Sequence, residues 1–308
     1  MTIMSDNGKV KQHIKKEQRY SLRDFDNEFP NDSACLDYIK EQRWPAGMAK
    51  CEKCGKETKH YRVGDRTAYA CQFCGTHIYP LAGTIFEKSS TSLKTWFYAM
   101  YLMGSTRCGI SAKQVQRETG VTYKTAWRIF KRVRTLLSDG DLQLEGPTVE
   151  VDETYMGGKR KGSHGRPLPG DKTKVPVVGI VQRNGLAIAR HVKNVKAKTL
   201  NRLIRKHVTP GNLIYTDEYP AYNTLSKGRR YIHRRIKHRA GIYAKNHIHT
   251  NSVEGLWSLI KRGIGGVYHH VDQDYLQSYL DEYCFRYNRR HKGNQQFNAI
   301  LERASRLS

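Results

Sequence analysis

Acidic side chains are scarce in this chain, and so is any long apolar run. Asp and Glu number 28 against 54 Lys and Arg, a formal net charge of +26. That imbalance predicts a polyanionic partner such as nucleic acid and argues against an ordinary small-molecule enzyme, which seldom needs it. The longest uninterrupted apolar stretch, residues 96–103, falls far short of the roughly 18 residues that cross a bilayer. The polar N-terminal residues hold no apolar signal core, so the sequence predicts an intracellular protein. Cysteine is too sparse and wrongly arranged for a disulfide framework: there are seven, an odd number, and four of them form two tight pairs. Such pairs suit metal binding in a reducing compartment. With 38% hydrophobic and 27% charged residues over 308 positions, the chain is globular and long enough for about two domains.

Cys51-Glu52-Lys53-Cys54-Gly55 and Cys71-Gln72-Phe73-Cys74-Gly75 are two C-x-x-C-G knuckles separated by residues 55–70. Each knuckle lets two thiolates converge on one ion, and two knuckles complete the closed tetrahedral set of a structural Zn2+ site. The glycine after each pair frees the backbone to turn beneath the metal. Between the knuckles, residues 61–63 and 67–70 flank Gly64-Asp65, which reads as a hairpin and makes the segment a zinc ribbon. His60 and His77 stand near enough in sequence to replace a cysteine. Cys35, Cys108 and Cys284 are isolated and read as buried small hydrophobes.

Residues 90–103 form a candidate helix broken at 108–110. Ser111-Ala112-Lys113-Gln114 has the form of a capping box and predicts a second helix running to Glu118. Thr119-Gly120-Val121 then makes a short turn, and Thr122 caps a third helix through Leu137. In that third helix Ala126, Ile129, Phe130, Val133, Leu136 and Leu137 follow one buried stripe, leaving Lys124, Arg128, Lys131, Arg132 and Arg134 outside it. The spacing is that of a helix-turn-helix DNA reader.

Residues 138–147 are rich in turn formers and mark a domain boundary. Beyond them the pattern predicts strands at 148–153, 175–182 and 186–192, a helix at 197–207, a strand at 212–216, a basic stretch, and a helical region from about 249. The result is an α/β layout with acids at strand ends. Asp152 ends the first strand, Asp217 ends the fourth, and Glu254 begins a helix on which Glu254, Ser258 and Lys261 share a face. Three converging carboxylates are what a hard divalent cation needs, and two such ions roughly 3.5 to 4 Å apart would serve a phosphodiester displacement.

These residues carry a resemblance. Asp152 in Val-Asp-Glu-Thr-Tyr, Asp217 in Tyr-Thr-Asp-Glu-Tyr and Glu254 in Asn-Ser-Val-Glu-Gly-Leu-Trp-Ser-Leu-Ile-Lys-Arg resemble the DDE motif of the ISXO2-like family of insertion-sequence transposases. Ala34-Cys35-Leu36 with Arg43-Trp44-Pro45 resembles that family's entry to its zinc domain, and the likeness spans residues 28–293. It implies an RNase H-like core in which Asp152, Asp217 and Glu254 bind two Mg2+ ions, with Mn2+ as a substitute, and Lys261 acts beside them. Relatives can carry Asn in the third position, and Asn251 lies one turn from Glu254; Glu153 and Glu218 adjoin the aspartates. The spacing to Lys261 and the better fit of a carboxylate to a hard cation favour Glu254.

Residues 227–239 hold seven Lys or Arg, two His and no acid, which predicts a phosphate track that includes Arg234 and Arg235; Lys261 and Arg262 on the following helix extend it. The expected layout is a basic arm at 1–27, the ribbon at 28–88, the helix-turn-helix at 89–138, the RNase H-like domain at 147–295 and a tail at 296–308. A homodimer or larger assembly is expected, because two element ends must be cut and joined to target DNA together. Such a protein is expected in the bacterial cytoplasm, on nucleoid DNA when bound. Two other readings share these modules: a non-catalytic DNA-binding regulator and a structure-specific nuclease without strand transfer.

Overall fold

The computed structural model describes residues 20–106, 108–157, 174–236, 250–291 and 296–306. The basic segment at 9–19 and residues 237–239 of the basic run lie outside the described residues. Contacts divide the chain into two compact units, Met1–Leu136 with His291–Ser308, and Leu137–Arg290. No described helix is long and apolar enough to cross a membrane.

The first unit opens with α1 (Leu22–Glu28), started by a complete capping box in which Ser21 and Asp24 satisfy each other's backbone N–H groups. Helix α2 (Asp32–Arg43) follows, capped by Asn31. Four short antiparallel strands come next in the order β1 (Met48–Lys50), β2 (Glu57–Arg62), β3 (Tyr69–Cys71) and β4 (His77–Ile78). The expected hairpin at Gly64-Asp65 is the β2–β3 connection, with Tyr61 opposite Ala70. Helices α3 (Leu93–Ser105), α4 (Ala112–Thr119) and α5 (Tyr123–Thr135) complete the run. At α4 only half of the anticipated capping box forms: Ser111 Oγ accepts from the Gln114 N–H, while the Gln114 side chain reaches forward to Glu118. Gly120 ends α4 at φ 71°, a left-handed conformation that favours glycine.

Residues 296–308, expected as a tail, contain the helix Gln296–Ser305, which packs in this first unit. Its Phe297 is fully buried against the rings of Phe25, Phe29 and Tyr101. The approach is close enough that a Cβ on Gly104 would lie 2.7 Å from the Phe297 nitrogen. The interior of this unit is therefore completed by residues far away in sequence. Of the arm expected at 1–27, residues 22–27 belong to α1, whose Phe25 is buried.

The second unit is built on a five-stranded mixed sheet, made by β5 (Thr148–Gly157), β6 (Lys174–Gln182), β7 (Ala187–His191), β8 (Leu213–Thr216) and β9 (Ile232–Arg235) in the order β7-β6-β5-β8-β9. The first three run antiparallel to one another, while β8 is parallel to β5 and β9 to β8. This mixed sheet fits the RNase H-like core that the resemblance implied. Helix α6 (Ala197–His207) covers one face, its Leu200 and Ile204 packed with Val149, Val151, Val178 and Ile180. Helices α7 (Asn251–Gly263) and α8 (Gln273–Asn288) cover the other, against Val177, Val181, Ala187 and Ala189. Strand alternation decides which acids face which helix: with Val149 and Val151 toward α6, Glu150 and Asp152 turn toward α7.

Candidate functional site

The β5–β8 register pairs Val149 with Ile214 and Glu150 with Tyr215. Two residues further along parallel strands, Asp152 and Asp217 come level at the C-terminal end of β8, where ligands collect in open α/β sheets. Burial first, then the charges of Glu153 and Asp217, push the Asp152 carboxyl up from 3.8 to about 7, against the pull of a hydrogen bond from Trp257. In that bond the Trp257 Nε1–H donates to Asp152 Oδ2 at 2.9 Å. The indole reaches the acid because Gly179, opposite Asp152 on β6, has no side chain; a Cβ there would stand 2.6 Å from Trp257 Cζ2.

Asp217 is held from the other side. Its Oδ1 accepts from the Tyr219 N–H at 3.0 Å, an Asx-type turn that fixes the carboxylate. The Thr216 hydroxyl donates to the Asp217 carbonyl at 2.8 Å. With that proton spent, Thr216 Oγ1 accepts from His233 Nε2 at 3.0 Å, and His233 Nδ1 accepts from Ser226 at 3.0 Å. Burial and neighbouring Arg235 pull the His233 imidazole down to about 4, so it stays neutral and keeps this tautomer. Tyr222, fully buried, donates to Glu153 Oε2 at 2.8 Å.

The sequence pattern did not single out Glu150. Its side chain is 0% exposed, and both carboxylate oxygens are engaged. Oε2 accepts from the Ser252 and Val253 N–H groups at 2.8 and 3.1 Å, and Oε1 from Arg183 Nε at 2.6 Å and Ser252 Oγ at 3.1 Å. Glu150 thus caps the first turn of α7 from within the sheet, satisfying N–H groups that a helix start leaves open. Thr250, at the N-cap position, provides no side-chain cap. The helix pinned in this way carries Trp257 and the third expected acid.

Glu254 lies exposed on the first turn of α7, where Oε1 accepts from the Thr250 hydroxyl at 3.1 Å. Asp152 and Asp217 are close enough for the Asp217 charge to raise the Asp152 carboxyl. Among the described residues no set of three or more acids or histidines closes to metal-ligand distance; only the four knuckle cysteines do. Oxygen donors and crowded negative charge at Asp152 and Asp217 still fit a hard divalent cation. Lys261 and Arg262 are exposed near the end of α7, and Arg262 Nε donates to the Ser258 carbonyl. Arg234 is exposed on β9, a strand lying inside the run read only as a basic track, and Arg235 donates to Asn223 Oδ1 at 2.5 Å.

In the first unit the Sγ atoms of Cys51, Cys54, Cys71 and Cys74 all lie within 4.8 Å of one another. Hydrogen bonds with the Thr76 side chain and backbone draw the Cys74 thiol down to about 6, toward the thiolate that a metal binds. Four thiolates at this spacing fit a closed structural zinc site. His60 is buried behind the knuckles, with Nδ1 3.0 Å from the Thr58 carbonyl. Cys35 and Cys284 are buried as expected, but Cys108 is exposed.

Helices α4 and α5 are joined by residues 120–122, and Thr122 caps α5 through the Thr125 N–H. Lys124 and Lys131 are exposed on α5, the latter with Nζ 5.3 Å from the Trp127 ring. Arg134 departs from expectation: it is 4% exposed, its guanidinium 5.3 Å from the Phe130 ring. Arg128 and Arg132 point to the chain segment before α3. Arg128 Nη2 donates to Thr91 Oγ1 at 2.8 Å, and Arg132 Nη1 to the Ile85 carbonyl at 3.4 Å.

Residues 143–288 match the ISXO2-like transposase domain, and residues 30–77 match the transposase zinc-ribbon domain. A protein of the transposable element ISH50 of Halobacterium salinarum is 30% identical over 296 residues, covering 90% of this chain and 98% of that protein. A transposase-like protein of Haemophilus influenzae is 31% identical over 97 residues, 32% of this chain and 76% of that one. Ribbon, acid-bearing mixed sheet and relatives together define the class, and the chain belongs to the ISXO2-like (IS1595) family of insertion-sequence transposases. Among solved structures, a Mos1 strand transfer complex matches at 12% identity and a TM-score of 0.30, covering 64% of this chain and 74% of that one. A pre-cleavage Mos1 transpososome matches at 14% and 0.26, covering 64% and 75%. Overlap that loose carries no argument.

Proposed function

We propose that the chain cleaves the DNA strands at the ends of its insertion sequence and joins them to target DNA, as a homodimer or larger assembly holding two ends. The observation that carries this reading is the meeting of Asp152 and Asp217 on neighbouring parallel strands, with the Asp152 carboxyl raised by burial and by adjoining acids. Asp152, Asp217 and Glu254 would hold Mg2+, which when bound supplies positive charge to a phosphorus centre under attack.

The chain's own residues do the positioning. Glu150 holds the start of α7, Trp257 orients Asp152, and the Tyr219 N–H orients Asp217. Lys261 and Arg262 hold the DNA backbone over the acids, and Arg234 and Arg235 extend that hold along the strand. In the first step water attacks the phosphorus of an end phosphodiester, the element's 3′-oxygen departs as a hydroxyl, and the phosphate stays on the 5′ end of the flanking strand. In the second, that hydroxyl attacks a target phosphodiester and the target's own 3′-oxygen departs. Both are in-line displacements that need no covalent protein intermediate. The zinc ribbon and the α4–α5 pair, with Lys124, Arg128, Lys131 and Arg132, bind the element's ends.

The test is Asp217→Asn on end-containing duplexes. Binding should match the parent protein while cleavage is lost; retained cleavage would remove Asp217 from the site. If parent and variant both bind ends and neither cleaves, a DNA-binding regulator becomes the better reading.

A further inference from the structure

Arg128 and Arg132 sit one turn apart on α5, and both guanidinium groups turn away from the exposed helix N-terminus toward residues 84–91. Together with Thr84, Ile85, Glu87, Lys88, Ser89 and Trp96 they line a cavity of about 370 Å³. Its wall is a built turn: the Glu87 N–H donates to the Thr84 carbonyl and the Ser89 N–H to the Phe86 carbonyl, each at 3.1 Å. Lys88 closes that turn at φ 54°, a left-handed conformation costly for a side-chain-bearing residue.

The charge in this cavity is unbalanced. Arg128 and Arg132 each donate to a neutral oxygen, and among the described residues neither pairs with a carboxylate. The single acid, Glu87, is occupied: Oε2 accepts from the Gly83 N–H at 2.9 Å, and Oε1 lies 3.8 Å from Lys88 Nζ. Three cations against one anion leave a net positive lining. Ser89 Oγ accepts from Trp96 Nε1 at 3.0 Å and from the Thr91 N–H at 3.2 Å, so its own proton can be donated to a ligand. Guanidinium forks and a hydroxyl around a concave space match the oxygens of a phosphate diester, and the volume admits the adjoining sugar as well.

We propose that this cavity is a phosphodiester pocket in which Arg128, Arg132 and Ser89 clamp one DNA backbone beside α5. The inference rests on the reading that the first unit binds DNA. It gives Arg128 and Arg132 the role of holding backbone, and leaves Tyr123 and Lys124, exposed at the start of α5, as the side chains placed to meet base edges.

The experiment measures binding of the full zinc-loaded chain to a duplex bearing the element's terminal repeat and to a scrambled duplex of equal length, over a range of salt. Arg132→Gln should weaken both by the same factor, about tenfold, and lower the salt slope by about one. Lys124→Ala should weaken the terminal repeat more than the scrambled duplex. A scan of neutral methylphosphonate linkages along the repeat needs no folding assumption for the parent protein: one position should weaken the parent and leave Arg132→Gln unaffected. Selective loss of the terminal repeat by Arg132→Gln would make Arg132 a base reader and overturn the pocket, as would a methylphosphonate profile identical in both proteins. Absence of strand transfer with this binding pattern intact would instead count against the catalytic reading alone.

Discussion

Replacing Asp152 with Asn takes one charge out of a crowded, partly buried place, and its effect on stability can be worked out with its sign. The folded carboxyl titrates at about 7 against an ordinary 3.8, because burial and then the charges of Glu153 and Asp217 oppose ionisation. Between those pH values the folded state binds the extra proton, so stability falls as pH rises and the full penalty stands above about pH 7. The ceiling is about 4 kcal/mol; because Asp152 keeps some contact with water, screening reduces the expected penalty to about 2 kcal/mol. Asn still accepts the Trp257 hydrogen bond, so the variant should melt about 4–8 °C above the parent at pH 8 without Mg2+, for a unit of this size. Below pH 4 the two should coincide. Calorimetry of both proteins at these pH values is the assay, and added Mg2+ should narrow the gap at pH 8 by stabilising only the parent. An Asn variant no more stable at pH 8, or equally more stable at both pH values, would refute the reasoning.

Glu150→Gln should cost about 3–5 kcal/mol, since it removes the buried negative charge that faces the Arg183 guanidinium and weakens the cap on α7; hydrogen exchange should rise first in residues 251–257, and unchanged protection there would show that the cap does not hold the helix. Gly179→Ala should cost about 1–3 kcal/mol by driving a methyl against the Trp257 ring, and a blue or red shift in Trp257 emission should accompany it. Cys51→Ser should release zinc and unfold the ribbon, weakening DNA binding, while the Leu137–Arg290 unit keeps its melting transition; full zinc content in the variant would contradict the four-cysteine site.

Several elements were legible in the sequence because their signals are local. The knuckles are short, and the caps at Ser111 and Thr122 and the left-handed Gly120 each lie within a few residues of what they fix. The unbroken apolar run Val177-Val178-Gly179-Ile180-Val181 of β6 belongs to a strand covered on both faces. Strand β9 was hidden because Ile232-His233-Arg234-Arg235 has its apolar residue exposed and its polar His233 turned inward to Thr216. Glu150 was hidden because an acid within Val-Glu-Val reads as the solvent face of a strand, and its partners Ser252 and Val253 lie a hundred residues on. The helix at 296–305 was hidden for the same reason: its burial depends on α1 and α3, distant in sequence. Amphipathic spacing correctly placed the apolar stripe of α5, but it carries no information on where long arginine side chains end, and Arg128, Arg132 and Arg134 all turn back to the protein.

The central claim is that the acids of the second unit perform strand transfer, and it is tested most directly with precut element ends and a plasmid target. The reaction is run with Mg2+, with a chelator, and with Glu254→Gln in place of the parent protein. Joined product that requires both the metal and Glu254 is the result predicted here. Joining that survives Glu254→Gln would transfer the third-acid role to another residue, and end binding with no joining by the parent protein in Mg2+ would contradict the account.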